Sequence, residues 1–528
     1  MTSAHGKLAA SLERLRQLQA GGRHVFRGDE IPRYHRDRLR KNGFLRPIIR
    51  GWWMSWSPDS APGETTPWMI SFWEFCARYC EERFGEAWHL SPEHSLLLHA
   101  ERTSVPRQLV IHSPQGTNNA VDLLFDTSIY DLRTDSMPPP EDVTEREGLR
   151  LLTPGAALIR VPGAFFQRFP AETRIALASM SDAAEVLERL LAGGHSVVAR
   201  RLAGGFRRVG RPEIAEEIVE GMEAAGHEMR EVDPFGPGAG FAEIATDVSP
   251  IVARLQALWE GMRPVVLEVL PSPPGLPEDP GTYLRLVDEL YQRDAYHSLS
   301  IEGFRVTMSL IQRVRSGEGG PEDQDADQRA RDALAARGYW QAFQAVRESL
   351  RDVLEGANPG ATVRRAHREW CRELFQPFVA AGALSPQALA GYRRDAVYLR
   401  NSRHVPPRGR VVGEAMPAFF DLLENEEEPA VQAVLGHWML GHIHPYPDGN
   451  GRLARFLMNV MLASGGYPWT VVPVEDRDAY MAALEAASVD GEIRPFAEFI
   501  ATVGKRHFTD LDRQRPGSHG QGPNPTPL

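Results

Sequence analysis

The sequence predicts a multidomain α+β protein. A helix-and-hairpin region and a small α/β region come first, followed by an all-α core that carries one β-hairpin. Three observations lead there. At 528 residues the chain is longer than one hydrophobic core ordinarily organises, so two to four domains are expected. Short alternating apolar stretches, the mark of strands, lie mostly before about residue 230, whereas from residue 282 apolar positions recur at helical spacing. Between the two regimes lie breaker-rich stretches at 233–241 and 270–277. The expected boundaries are 1–60 and 61–232 for two N-terminal domains and 233–281 for a linker and entry segment. The helical core is expected over 282–510, with a disordered tail over 511–528.

Composition narrows the class. Hydrophobic residues make up 42% and charged residues 24%, the balance of a water-soluble globular protein. No apolar run reaches membrane-span length and residues 1–20 lack a signal-peptide core, so neither a membrane partner nor export is expected. Cys76, Cys80 and Cys371 are too few for a disulfide framework, and a reducing cytoplasm follows as the expected location. The net charge of −11 is unevenly spread. Residues 1–56 carry twelve Lys/Arg against four acids, which suggests a nucleic-acid-facing module at that end.

Taken in order, Leu8, Leu12, Leu15 and Leu18 space a first helix. Residues 29–42 read as a short helix, a turn and a second, arginine-rich helix. Residues 44–54 alternate as a hairpin around Gly51. Together these make a winged-helix outline with Arg36, Arg38, Arg40 and Lys41 on or beside the recognition helix, as candidate DNA contacts. The order of features resembles the N-terminal region of AbiEi-type antitoxins, with Gly43-Phe44-Leu45 and Arg50-Gly51 in the wing pattern. Residues 90–99 resemble that family's next helix and 108–112 its next strand, and 197–202 reads as a further strand edge. The resemblance spans roughly 1–210 and implies DNA binding or partner regulation.

Farther along, an amphipathic stripe through Tyr283, Leu284, Leu286, Val287 and Leu290 runs toward Tyr296–Gly303, and another helix begins near Phe304. Helices are expected at 328–354, 361–380, 414–423 and 429–442, with an extended hairpin over 392–406. Then comes the stretch with the densest chemistry, His444-Pro445-Tyr446-Pro447-Asp448-Gly449-Asn450-Gly451-Arg452-Leu453-Ala454-Arg455. Pro445 and Pro447 end the incoming helix. Gly449, Asn450 and Gly451 turn the backbone so that its N–H groups meet at the start of the next helix, an anion site. Arg452 and Arg455, three apart, share a face and can fork onto phosphate oxygens. Asp448 can hold Mg²⁺ against those phosphates, and His444 is the natural acceptor of a hydroxyl proton. His437 and His442 are five apart, do not stack on one helix face, and so make a poor metal pair.

This stretch is similar to the Fic family motif H-P-F-x-(D/E)-G-N-G-R-x-x-R, with Tyr446 in the phenylalanine place. The resemblance extends over about 240–505 and implies transfer of AMP from ATP to a protein hydroxyl. It implies that His444 deprotonates a Ser, Thr or Tyr hydroxyl of a target protein and that Asp448 binds Mg²⁺. Gly449, Asn450 and Gly451 would cradle the α- and β-phosphates. Arg452 would hold the β-phosphate region, and Arg455 the γ-phosphate. Residues 298–303 (Ser298, Glu302 and Gly303 in the defining places) resemble the family's inhibitory motif (S/T)-x-x-x-E-(G/N), in which the glutamate pairs with the second motif arginine, here Arg455. An arginine held by a carboxylate cannot also grip the γ-phosphate. A bland alternative is Ser298 as a helix cap with Glu302 in the first turn. The expected function is therefore an autoinhibited protein adenylyltransferase using ATP and Mg²⁺. The alternatives are a DNA-binding transcriptional or toxin–antitoxin regulator with a sensory nucleotide site, and a bifunctional enzyme that also removes AMP. Homo-oligomerisation is left open.

Overall fold

A computed structural model describes residues 4–58, 63–236, 249–317 and 327–514. The chain divides into two compact units, one of residues 1–257 with 397–406, the other of 258–396 with 407–528. The glycine-rich part of the expected linker, residues 318–326 and the C-terminal residues 515–528 lie outside the described residues. Among the described residues, no helix is long and apolar enough to cross a membrane.

The first unit begins with the helix Ala4–Leu18 and a three-stranded antiparallel sheet in which Trp52–Ser55 lies between Val25–Arg27 and Leu45–Ile49. Leu15, Phe26, Ile31, Leu39 and Leu45 form its small core. Gly51, at φ 86°, closes the expected hairpin; that conformation costs glycine little. Between the first strand and the sheet there is one helix, Arg33–Lys41, where two were expected. Ile31 precedes Pro32, which disfavours helical geometry at residue 31 and confines the helix to the far side of the proline.

The helix Thr66–Phe84 follows, burying Trp68, Phe72, Phe75, Cys76 and Cys80 in a core shared with Leu109, Ile111 and Ile129. Those last three come from a four-stranded sheet ordered His89–Leu90, Gln108–Ser113, Ser128–Arg133, Asn119–Asp122, whose central pair is parallel. A hairpin, Val143–Arg146 with Leu149–Leu152, leads into a helical cluster. Residues 197–202 belong to the helix Ser196–Arg208 rather than to a strand edge. Ala199, Leu202, Ala203 and Phe206 make a buried face at 3.6-residue spacing, and Val197-Val198 at its start mimicked a strand. Within the expected linker, Ile251, Leu255, Trp259, Met262 and Val266 make the buried face of the helix Pro250–Val269.

The expected hairpin over 392–406 forms no β-ladder. Pro406 and Pro407 have no N–H to donate, Asn401 is left-handed at φ 56°, and residues 397–406 satisfy their backbone within the first unit. The Val105 N–H donates to the Arg403 carbonyl at 2.9 Å, and Thr103 Oγ1 donates to the Val405 carbonyl at 2.5 Å. Arg400 also pairs with Glu64 at 2.8 Å.

The second unit is helical. The helix Pro280–Ile301 leads to Met308–Ser316, Asp327–Leu354 and Pro359–Ala380. Gly409–Asn425, Pro429–Ile443, Asn450–Ser464, Arg477–Glu485 and Arg494–Gln514 follow, so the last helix runs into what was expected to be tail. Pro429–Ile443 is apolar on every side, and all but two of its fifteen residues are buried. It is therefore a central helix rather than a surface one. Asn450–Ser464 is buried to a similar degree, and the six residues between the two make up the loop of interest.

Candidate active site

The loop starts where Pro429–Ile443 is forced to stop. His444 caps the helix at φ 51°, ψ 60°, a left-handed conformation uncommon for a residue with a side chain. Its N–H still reaches the Leu440 carbonyl at 2.9 Å. The ring Nδ1 sits 3.3 Å from the Gly441 carbonyl. A carbonyl only accepts, so Nδ1 carries the hydrogen and Nε2 is left as the acceptor. Burial, reinforced by the nearby Arg393 cation, pushes the imidazole down to about 4, against the opposing pull of the Gly441 carbonyl, Glu302 and Asp448.

The turn is locked from inside by Asn450. Its Oδ1 accepts from the Tyr446 N–H at 2.9 Å and its Nδ2 donates to the Tyr446 carbonyl at 2.8 Å, with the residue 1% exposed. The Asn450 side chain is thus committed to loop shape, which leaves only the backbone of residues 449–451 for the cradling expected of them. Gly449 is at φ 84°, and an added Cβ would lie 2.9 Å from the Phe375 ring. A Cβ on Gly451 would meet Glu302 Oε1 at 2.4 Å. The next helix begins at Asn450, so its first N–H groups have no partner within the helix, the arrangement in which a helix start suits an anion.

Arg452 is completely buried, its guanidinium over the Phe304 and Phe375 rings at 5.4 and 5.2 Å. Nη2 lies 3.4 Å from Asp448 Oδ1, while Nε and Nη1 find no hydrogen-bond partner among the described residues. Buried donors without acceptors are costly unless a ligand supplies them. Asp448 is by contrast open, its side chain 61% exposed, and its Oδ1 accepts from the Gly449 N–H at 2.6 Å. Among the described residues, no three His, Cys, Asp or Glu gather as a metal cage. One exposed carboxylate beside an open helix start suits Mg²⁺, which is ordinarily held by one or two carboxylates plus phosphates, better than it suits zinc.

Arg455 is engaged on every side. Nε donates to Ser298 Oγ at 2.9 Å, and Nη2 donates to the Ser298 carbonyl at 3.1 Å and to Glu302 Oε1 at 2.7 Å. Ser298 lies in the last turn of the helix Pro280–Ile301 and Glu302 is its C-cap, which removes the reading of Ser298 as an N-cap. Gly303, at φ 87°, makes the left-handed exit. Burial would raise the Glu302 carboxyl, but the cations Arg455 and Arg452 hold it below the usual carboxylate range.

Other members of this polar core, His437 apart, were not singled out by the sequence. Tyr480 Oη and His437 Nε2 are 2.8 Å apart, and Tyr339 Oη donates to Asp294 Oδ2 at 2.6 Å. Arg393, 4% exposed, donates to the Ile443 and His444 carbonyls. These groups are distant in sequence and carry no motif. For Asp294, Tyr339, His437 and Tyr480 the one local signal was a polar residue on a buried helix face, and Arg393 lies outside any helix.

At the other end of the chain, the four basic candidates separate into two pairs. Arg36 donates to the Gly28 carbonyl and lies over Trp53, and Arg38 donates to the Lys7 carbonyl and Ser11 Oγ. Arg40 and Lys41 are exposed, as are Arg33 and Tyr34 on the same helix.

Residues 361–462 match a model of the Fic/DOC family. A protein adenylyltransferase Fic from Drosophila willistoni is 31% identical over 247 residues, covering 44% of this chain and 45% of that protein. The Drosophila yakuba protein of the same name is 31% identical over 254 residues, covering 45% of this chain and 47% of its own. The chain thus spans about half the length of the curated relatives it matches. A solved structure of Fic-1 (residues 134–508) from C. elegans covers 62% of this chain and 93% of its own, at 19% identity and a TM-score of 0.36.

Proposed function

We propose that this chain, which carries a Fic domain over residues 361–462, is an autoinhibited protein adenylyltransferase that moves AMP from ATP to a Ser, Thr or Tyr hydroxyl of another protein. The observation that carries the reading is Arg452. A fully buried guanidinium with two unpartnered donors, beside the open N-terminus of Asn450–Ser464, calls for a polyanion.

In the proposed reaction the target hydroxyl oxygen attacks the α-phosphorus and a new P–O bond forms. The bond from the α-phosphorus to the oxygen bridging the α- and β-phosphates breaks, and pyrophosphate leaves with that electron pair. The hydroxyl proton passes to His444 Nε2, the ring nitrogen left as acceptor by the Nδ1–Gly441 contact. Backbone N–H groups of residues 449–451 and the Arg452 guanidinium stabilise charge on the phosphates without reorganising. Asp448 is the residue that would hold Mg²⁺, which when bound neutralises phosphate charge.

Glu302 supplies the inhibition. While it accepts from Arg455, that arginine is not free for the γ-phosphate, and ATP binds unproductively. Incubation with α-labelled ATP, Mg²⁺ and cell lysate tests the reading. Label transfer should rise in Glu302→Gly and vanish in His444→Ala, and equal labelling by the two variants would overturn it.

A second reading, DNA binding by the N-terminal region, is favoured by one observation: Arg33, Tyr34, Arg40 and Lys41 stand exposed on one short helix. It is compatible with the first. A mobility shift on the full chain that weakens steeply with salt would support it.

A further inference from the structure

We propose that Arg393 is a positioning residue for the transfer, clamping the backbone on which His444 stands so that the imidazole meets the target hydroxyl in one orientation. The proposal rests on the adenylyl-transfer reading. Arg393 Nε donates to the His444 carbonyl at 2.6 Å, and Nη2 donates to the Ile443 carbonyl at 3.1 Å. Its own N–H donates to the Pro445 carbonyl at 2.9 Å. Three successive carbonyls, 443 to 445, are thereby held from one residue that is itself buried.

The chain needs such a clamp at this point. Carbonyls at the C-terminus of Pro429–Ile443 have no intrahelical partner, and a cation there also suits the helix dipole. His444 is left-handed at φ 51°, a conformation that persists in a residue with a Cβ only when its surroundings over-determine it. With the backbone pinned by Arg393 and Nδ1 directed at Gly441, the ring is fixed from both sides.

The same guanidinium reaches further. Nη1 donates to the Asp395 carbonyl at 2.9 Å and Nη2 to the Pro407 carbonyl at 2.5 Å. Arg393 therefore also ties together Asp395 and Pro407, the chain positions that flank residues 397–406. All these carbonyls belong to residues outside the phosphate loop 448–455, so the clamp should act on the base and not on nucleotide affinity. Arg393 also contributes a positive charge beside the imidazole; the other charged groups that act on His444 are Glu302 and Asp448.

The test uses the full chain in a Glu302→Gly background, comparing Arg393→Gln and Arg393→Lys. In Arg393→Gln, kcat should fall about a hundredfold, the scale expected when a reacting group is misplaced by an ångström, with KM for ATP within about twofold. The His444 ring titration, followed by NMR, should move up toward the free imidazole range. Arg393→Lys keeps the charge without the fork, so its ring should titrate low while kcat still drops. An unchanged kcat, or a KM that rises in step with the fall in kcat, would overturn the clamp. If the Glu302→Gly parent transfers no AMP, the adenylyl-transfer reading fails. Ring-proton shifts of His444 in the otherwise unaltered chain still decide the clamp, since identical shifts with and without Arg393 would sink it.

Discussion

Arg455 and Glu302, 153 residues apart in sequence, meet at 2.7 Å, and the glutamate is the more exposed partner, its side chain 29% accessible against 5% for the arginine. Arg455 has a second hold, on Ser298, through two further hydrogen bonds. Loss of the glutamate therefore leaves the arginine in place and frees one N–H of its Nη2. Glu302→Gly should raise AMP transfer at least tenfold, on the scale of one charge-assisted contact of about 1.4 kcal/mol or more. Glu302→Gln, which keeps the shape and loses the charge, should fall between the two in initial-rate assays. A glutamine variant as active as the glycine one would mean that charge, not occupancy, does the restraining.

His444 is held neutral by burial and by Arg393, down to about 4. An acceptor that stays unprotonated throughout the neutral range gives a flat rate there. In Glu302→Gly the removal of an anion lowers the value further, because Glu302 favours the protonated ring. Initial rates at saturating ATP should thus be level between pH 6 and 8, and an acid limb centred near the free imidazole value of ~6.5 would contradict this assignment.

What was legible in the sequence was what chemistry packs locally. Within residues 444–455 the helix stop, the tight turn and the new helix start could be read from spacing alone, because two prolines and two glycines fix them within twelve positions. The encounter of Ser298, Glu302 and Arg455 was legible only through a motif, since no local rule relates residues on different helices. Arg393, Tyr480 and the Asp294–Tyr339 pair were invisible for the same reason: their partners are backbone carbonyls or phenols chosen by tertiary packing. The misread elements, 197–202 as strand and 392–406 as hairpin, share a cause. Short apolar or alternating stretches do not reveal whether their backbone groups will be satisfied by a helix, a ladder or another segment.

Five histidines make stability depend on pH. Burial pushes His89, His94, His367 and His444 down to about 4 and His437 to about 3. Between ~6.5 and these values the unfolded chain binds protons that the folded one refuses, so stability falls as pH drops through that window. Asp294 works against the trend. Burial lifts it to about 6, so it keeps a proton in the folded state that the unfolded chain gives up near ~3.9. Five groups outweigh one, and the melting temperature should decline from pH 7 to pH 5. A melting temperature that rises on acidification would show that the imidazoles are not kept neutral.

Asn450 joins stability to function in one side chain. Asn450→Ala removes both bonds to the Tyr446 backbone and leaves a buried N–H and carbonyl unpaired, a loss of about 2–4 kcal/mol for two such groups. Thermal unfolding should shift down, and ATP binding by calorimetry should weaken by more than tenfold, because the N–H groups of 449–451 are no longer aimed at one point. Asn450→Asp retains the acceptor and should recover the bond to the Tyr446 N–H alone, giving an intermediate melting temperature. Equal losses in both variants would show that the acceptor bond to the Tyr446 N–H contributes nothing to the loop.

The basic N-terminal helix separates recognition from construction. Arg40 and Lys41 are exposed, so replacing both by Ala should leave the melting temperature within about 0.5 kcal/mol equivalent of the parent, as surface changes do. If that face meets nucleic acid, the same double variant should weaken duplex binding and flatten the log K against log salt slope by about two, one for each phosphate no longer neutralised. Arg36 should behave in the opposite way. Its guanidinium lies over Trp53 at 5.5 Å and holds the Gly28 carbonyl, so Arg36→Ala should lower stability by about 1–2 kcal/mol, the combined scale of that hydrogen bond and the cation–π interaction. It should leave the salt slope unchanged. Fluorescence anisotropy with a labelled duplex at several salt concentrations, run beside thermal unfolding of each variant, reads both quantities. A slope that responds to Arg36 and not to Arg40 and Lys41 would move the binding surface off this helix face.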